Sequence, residues 1–163
     1  MSATRAPGRS TFPTANAKQP DLKAIALRFL ARREHSRDEL ARKLAPYAES
    51  PEILEGLLRE LESKKQLSNE RFAEARARSL ARKYGARHIR QDLKSKGVSD
   101  EIVSNVSSAN ELERARAILK RKYHEQVSSR EEHTRRARFL QSRGFSYDTI
   151  RSALSSSTNF SEE

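Results

Sequence analysis

Leu93-Lys94-Ser95-Lys96-Gly97-Val98-Ser99 and Leu140-Gln141-Ser142-Arg143-Gly144-Phe145-Ser146 share one pattern: leucine, any residue, serine, base, glycine, apolar residue, serine. Each step has a physical role. Leucine anchors a helix, the base complements its C-terminal dipole, and glycine takes the left-handed conformation that ends it. The apolar residue then folds back onto the helix, and serine caps the next one. Two copies of a helix-turn-helix corner, 47 positions apart, predict a chain built from repeated helical units that share their apolar faces with their neighbours.

Working outward, the same punctuation recurs. Leu22, Ile25, Ala26, Phe29 and Leu30 follow helical spacing, as do Leu40, Leu44 and Tyr47, and then Ile53, Leu54, Leu57, Leu58 and Leu61. Ser36-Arg37-Asp38-Glu39 has the form of a capping box, and so does Ser128-Ser129-Arg130-Glu131. Ser50-Pro51 is a cap followed by a proline where its missing N–H costs nothing. Leu30-Ala31-Arg32-Arg33, Leu80-Ala81-Arg82-Lys83 and Leu119-Lys120-Arg121-Lys122 repeat at the ends of the first helices. The expectation is an all-α protein of nine helices in three tandem three-helix repeats, spanning 21–66, 67–109 and 110–156. Residues 1–20, rich in Ser, Thr, Ala and Pro, read as a disordered basic arm, and 157–163 as a flexible tail. A transit peptide is disfavoured because Pro7, Pro13 and Pro20 interrupt the helix it needs.

Composition narrows the function. Of the 163 residues, 35% are hydrophobic and 34% charged, which leaves no apolar run of about 18 residues to cross a membrane. Without cysteine there is no disulfide, thiolate metal site or cysteine nucleophile, and a reducing cytoplasm is the default compartment. His35, His88, His124 and His133 never fall at metal-ligand spacing, no glycine-rich phosphate loop occurs, and the serines sit at helix starts where capping accounts for them. No catalytic set, metal or cofactor is expected.

The net charge is +11. Residues 21–65 hold ten bases and nine acids, 66–110 nine and five, and 111–154 eleven and six, so the excess lies in the last two-thirds. Such an excess favours a polyanion or an acidic surface, although charge also keeps a small helical protein soluble. No single helix concentrates the bases as a recognition helix would, and the aromatic residues are few and scattered. A long charged object suits this distribution better than a short DNA site. An autonomous DNA-binding protein and a protein scaffold remain the alternatives.

The letters resemble the RecX regulators of the RecA recombinase over about Ala24 to Leu154. The segment from Leu30 through Ser36-Arg37-Asp38-Glu39-Leu40 to Leu44 is similar to the family's leading signature. Leu67-Ser68-Asn69-Glu70-Arg71-Phe72-Ala73, Gly85 to Val98 and Arg143-Gly144-Phe145-Ser146 resemble its later blocks, with Asn69 where an acid is common. The resemblance implies an elongated, curved array of three three-helix repeats that is non-enzymatic, and a monomer is expected. It also implies binding in the groove of the RecA–single-stranded-DNA filament, with inhibition of ATP hydrolysis, strand exchange and co-protease activity, and so a role in DNA repair and recombination. The family carries no catalytic set. The candidate contact residues are the bases clustered at recurring helix ends and loops: Arg32, Arg33, Arg37, Arg82, Lys83, Arg87, Arg90, Lys96, Arg121, Lys122, Arg135, Arg136 and Arg143. For each, the alternative is a solvated or dipole-compensating base.

Overall fold

A computed structural model of the chain describes residues 21–107, 109–124 and 129–155. The expected N-terminal arm, Ser128 and the expected C-terminal tail lie outside these. Among the described residues there is no strand. The helices are α1 (Leu22–Arg32), α2 (Arg37–Leu44), α3 (Pro51–Ser63), α4 (Asn69–Leu80), α5 (Ala86–Ser95), α6 (Asp100–Ser107), α7 (Glu111–Lys122), α8 (Arg130–Ser142) and α9 (Tyr147–Ser155). They form an all-α array of three three-helix units, each closed around its own core. Ala26, Leu40, Leu44, Leu57, Leu58 and Leu61 fill the first. Phe72, Ala73, Ala77, Ile89, Leu93 and Val103 fill the second, and Ala115, Leu119, Leu140, Ile150, Ala153 and Leu154 the third.

The two glycine turns form as their letters predict. Gly97 and Gly144 have φ of +76° and +81°, and Val98 and Phe145 donate back to Leu93 and Leu140 at 3.2 Å in both cases. That six-to-one bond ends the helix and folds the apolar residue under it. Ser36, Ser50 and Ser146 cap as expected, accepting from Glu39, Ile53 and Thr149, and Ser68 caps α4 in the same way, accepting from Arg71.

Four local readings are corrected. Glu39, instead of reaching back to the Ser36 amide, pairs with Arg33 at 2.9 Å and lies 3.5 Å from Lys96. The cap of α8 is Ser129, which accepts from Glu132, so that box sits one residue later than its letters suggest. Tyr47 lies in a 3-10 turn after α2 and is half exposed, as is Ile53; neither joins the core. Finally, the Leu-x-base-base motif is out of register in the second repeat. Leu30 and Leu119 lie inside α1 and α7, whereas Leu80 is the last residue of α4, which throws Arg82 and Lys83 into the following turn.

The units are joined by a capping exchange. The first turn of a helix has backbone N–H groups with no partner in that helix. In α2, the Arg37 N–H donates to Asn69 Oδ1 at 2.8 Å, and Asn69 is the first residue of α4 in the next unit. In α5, the Ala86 N–H donates to Glu111 Oε1 at 2.9 Å, and Glu111 is the first residue of α7. Helix α5 starts at Gly85 with no side-chain cap of its own. The Arg143 and Gly144 carbonyls make up the deficit, accepting from Gly85 at 2.8 Å and Arg87 at 3.1 Å. A Cβ on Gly85 would lie 2.5 Å from the Gly144 oxygen, and one on Gly144 would lie 2.7 Å from the His88 nitrogen. Backbone thus meets backbone at this junction.

Two titratable groups report on the packing. Burial pushes the Glu111 carboxyl up, but the Ala86 N–H and the Thr149 and Ser146 hydroxyls outweigh it and hold the group below its ordinary 4.5. His35 is buried between α1 and α2. Its Nδ1–H donates to the Arg33 carbonyl at 3.0 Å, which leaves Nε2 to accept from the Lys43 ammonium, also at 3.0 Å. Burial, with Arg33 and Lys43 adding to it, lowers the imidazole pKa below 6.5, against the Arg33 carbonyl and Glu39.

The backbone junction and the buried histidine each predict a measurable outcome. Gly85→Ala drives a methyl into the Gly144 backbone and should cost about 2 kcal/mol, lowering Tm by about 6 °C in a thermal melt. Because folding keeps His35 neutral, its contribution is complete above the unfolded pKa and declines as pH falls below it. Tm should therefore drop between about pH 7.5 and pH 5.5, and His35→Gln, which cannot gain a proton, should flatten that part of the profile.

Candidate polyanion-binding groove

Helix α4 ends at Leu80, and the Lys83 and Tyr84 amides both fold back to the Leu80 carbonyl at 2.9 Å. This tight turn aims Arg82, Lys83 and Tyr84 at the third unit. There the last two turns of α7 bring Ile118, Arg121 and Lys122, and the end of α8 brings Phe139 and Arg143. Together these eight residues line a groove of about 640 Å³ with no acidic side chain in its wall. Five of the thirteen bases expected from sequence converge here. None of the five makes an ion pair among the described residues.

Two of them, Lys122 and Arg143, are held by aromatic rings. The Lys122 ammonium sits 3.9 Å from the centre of the Phe139 ring and 5.6 Å from that of Tyr123. The Arg143 guanidinium lies between Phe139 and Tyr84, 5.2 and 5.5 Å from their centres. Tyr84 is in turn stacked on His88 at 3.9 Å, and Phe139 meets Tyr123 edge-on at 6.0 Å. A ring face attracts a cation by its quadrupole without neutralising it. An ion pair would fix the same side chain and cancel its charge. Arg121 is anchored by its Nη2 donating to the Arg82 carbonyl at 2.7 Å, again across the junction and without loss of charge. The groove therefore sets five unneutralised cations, three of them anchored, beside apolar surface, which raises the local concentration of any anion.

The other eight bases fare differently. Arg37 reaches Glu55 at 2.6 Å and Glu62 at 3.3 Å, and holds α2 to α3. Arg33 and Lys96 face Glu39, and so sit at the first junction as partners of one acid. Arg136 is 4% exposed, paired with Glu132 and set 4.7 Å from the Tyr123 ring. It stands four residues before the turn leucine, the place held by buried Leu40 and Ile89 in the other units. Arg136 is thus part of a core. Arg32, Arg87, Arg90 and Arg135 are exposed and lie apart from the groove.

The first junction is a contrast. Arg71 pairs with Glu34 across it at 2.9 Å, and Arg76 clasps Asp92 through two bonds of 2.8 and 2.9 Å. Its hollow is walled by Glu34 and Glu39 as well as Arg33 and Arg76. A further hollow of about 630 Å³ between α4 and α7 carries Glu74 and Glu113 beside Arg78 and Arg114. Of these three hollows, the one lined by Arg82, Lys83, Arg121, Lys122 and Arg143 has a wall of one sign, whereas the α4–α7 hollow, also where the second and third repeats meet, carries both. Sequence reading missed Tyr84, Phe139 and Tyr123. The available signal was that each lies one to four residues from a base of the repeated motif.

Among the described residues no group of three or more His, Asp or Glu side chains is placed to hold a metal ion, and no helix is long and apolar enough to cross a membrane.

Comparison with known proteins agrees with this architecture. Residues 23–58, 68–106 and 109–154 match the family models for the first, second and third three-helix domains of RecX. A regulatory protein RecX from Herbaspirillum seropedicae is 43% identical over 136 residues, covering 82% of this chain and 88% of its own. Another from Leptothrix cholodnii is 41% identical over 143 residues, covering 86% and 91%. The crystal structure of RecX from Lactobacillus salivarius superposes with a TM-score of 0.71 at 21% identity, over 83% of this chain and 93% of the other, which is a likeness of fold. On the three matched domains and the close relatives, the chain belongs to the RecX family of regulatory proteins.

Proposed function

We propose that this protein is a monomeric, non-enzymatic, cytoplasmic regulator of the RecA recombinase. It binds RecA, lies in the groove of the RecA–single-stranded-DNA filament and lowers its ATP hydrolysis, strand exchange and co-protease activity. The observation that carries this reading is the one-signed groove where the second and third repeats meet, on a chain whose relatives are named regulatory proteins. A filament offers repeated anionic surface along a helical path. A tandem array can follow that path and add several weak attachments into one firm one, because each attachment made raises the effective concentration for the next. Occupying the groove would obstruct a second DNA and the length changes that accompany ATP turnover.

RecA ATP hydrolysis on single-stranded DNA provides the test. Sub-stoichiometric protein should slow the steady-state rate, and an unaltered rate overturns the proposal. Replacing Arg82, Lys83, Arg121 and Lys122 by Glu should raise the concentration needed for half-inhibition at least about tenfold, equivalent to about 1.4 kcal/mol of lost binding.

A further inference from the structure

Leu67, the residue before the cap of α4, is 2% exposed and closes the core of the first repeat. Its amide turns back to the Leu61 carbonyl at 3.1 Å, and its side chain joins Leu57, Leu58 and Leu61 in that core. The same place before the cap of α7 is held by Ala109, on a link of residues 108–110 that is two residues shorter than 64–68. Ala109 lines the α4–α7 hollow of about 630 Å³ instead of filling it. The core of the second repeat therefore lies open on that side. Ala77 belongs to this core, Ala81 and Val106 pack against it, and all three stand in the wall of the hollow. Around this apolar floor lie Glu74 and Arg78, one turn apart on α4, and Glu113 on α7, all exposed. None of these three makes an ion pair among the described residues.

We propose that the α4–α7 hollow is a socket for one leucine-sized apolar side chain carried by a helix of a partner protein. Beside it on that helix, a basic residue meets Glu74 or Glu113 and an acidic one meets Arg78. This deepens the proposed function, on which it rests for the identity of the partner, and gives that protein a place on this chain apart from the cationic groove. The entering side chain does for the second core what Leu67 does for the first: it takes the remaining exposed surface of Ala77, Ala81 and Val106 out of water. The helix that carries it occupies the rest of the volume, since packed helices lie about 8–10 Å apart and α4 and α7 stand as walls on either side. Charges one turn apart, as on Glu74 and Arg78, face a partner helix whose own charges have the same spacing. The apolar contact supplies affinity, and the charged rim supplies orientation and specificity. Nucleic acid is the poorer occupant, because Glu74 and Glu113 repel phosphate.

The experiment is a methyl NMR titration of the whole protein with two acetylated peptides of about twelve residues, three turns of helix, each held helical by a lactam bridge. One carries a single leucine between a lysine and a glutamate; the other has alanine in place of that leucine. The leucine peptide should bind at least about tenfold more tightly, as burial of the larger side chain predicts, and should shift the Ala77 and Ala81 methyl signals. Equal binding of the two peptides overturns the socket, and so do shifts confined to the cationic groove. A109L, which supplies the missing leucine from within, should raise Tm by about 3 °C and lose the preference for the leucine peptide. An unchanged Tm or a retained preference overturns the equivalence of Ala109 with Leu67 on which the socket rests. E74K/R78E, which reverses the order of two charges without changing their sum, should bind the leucine peptide at least about threefold more weakly; unchanged affinity overturns the charged rim. Sedimentation showing a dimer of the parent protein and a monomer of A109L would make the occupant a second copy of this chain and overturns the partner helix. In the RecA assay, A109L should need at least about tenfold more protein for half-inhibition. If A109L inhibits like the parent protein, this inference falls while the proposed function stands. If the peptides behave as expected but neither protein affects RecA, the function falls and the socket stands.

Discussion

A helix that begins in the open can leave its first N–H groups to water; one that begins against another domain cannot. That constraint organises this molecule. Helices α2 and α5 start where one repeat abuts the next, and the following repeat supplies the missing acceptors: Asn69 to Arg37, Glu111 to Ala86, and the Arg143 and Gly144 carbonyls to Gly85 and Arg87. Each such bond is worth about 1 kcal/mol when exposed alternatives exist, and leaving the donor buried without one costs about 1–3. The need to complete these helices therefore helps to set the orientation of neighbouring repeats, together with the Arg71–Glu34 and Lys96–Glu39 pairs at the first joint. Each repeat keeps its apolar side chains in a core of its own.

The charge distribution follows from the same joints. At the first, Glu34, Glu39 and Asp92 lie among Arg33, Arg71, Arg76 and Lys96, and the bases spend their charge on holding the structure. At the second, the acid that bridges the joint, Glu111, is taken up by backbone and hydroxyl donors, while Lys122 and Arg143 rest on rings and Arg121 on a carbonyl. Two joints of one design thus differ in what they present to solvent. The first is electrically closed, whereas the second carries both signs between α4 and α7 and is open on the side of Arg82 to Arg143.

The fold was legible because its signals are local. The two Leu-x-Ser-base-Gly-apolar-Ser corners, the serine caps and the helical stripes each concern residues within a turn of one another, and these settle in the same way in any context. The groove was legible only in part. Arg82, Lys83, Arg121, Lys122 and Arg143 were identified by recurrence, but nothing in the letters separates them from Arg37, whose partners Glu55 and Glu62 lie 18 and 25 positions away. Pairing across such distances depends on packing, which is also why Arg136 passes for a surface base until the turn leucine is used as a ruler. The cross-repeat roles of Asn69 and Glu111 were hidden for a further reason: both look like ordinary first-turn residues of their own helices.

The direction of the capping exchange has a consequence for how the chain comes into being. Among the described residues, each of these cross-repeat acceptors lies downstream of the helix it completes. As the polypeptide leaves the ribosome, α5 emerges with Gly85 at its head and no side chain of its own to seal it. Glu111 supplies one acceptor, but the set is complete only when about sixty further residues, through Gly144, have cleared the exit. Maturation therefore runs backward along the chain, with each newly made repeat finishing its predecessor, and the cationic groove is complete only once Arg143 has been made.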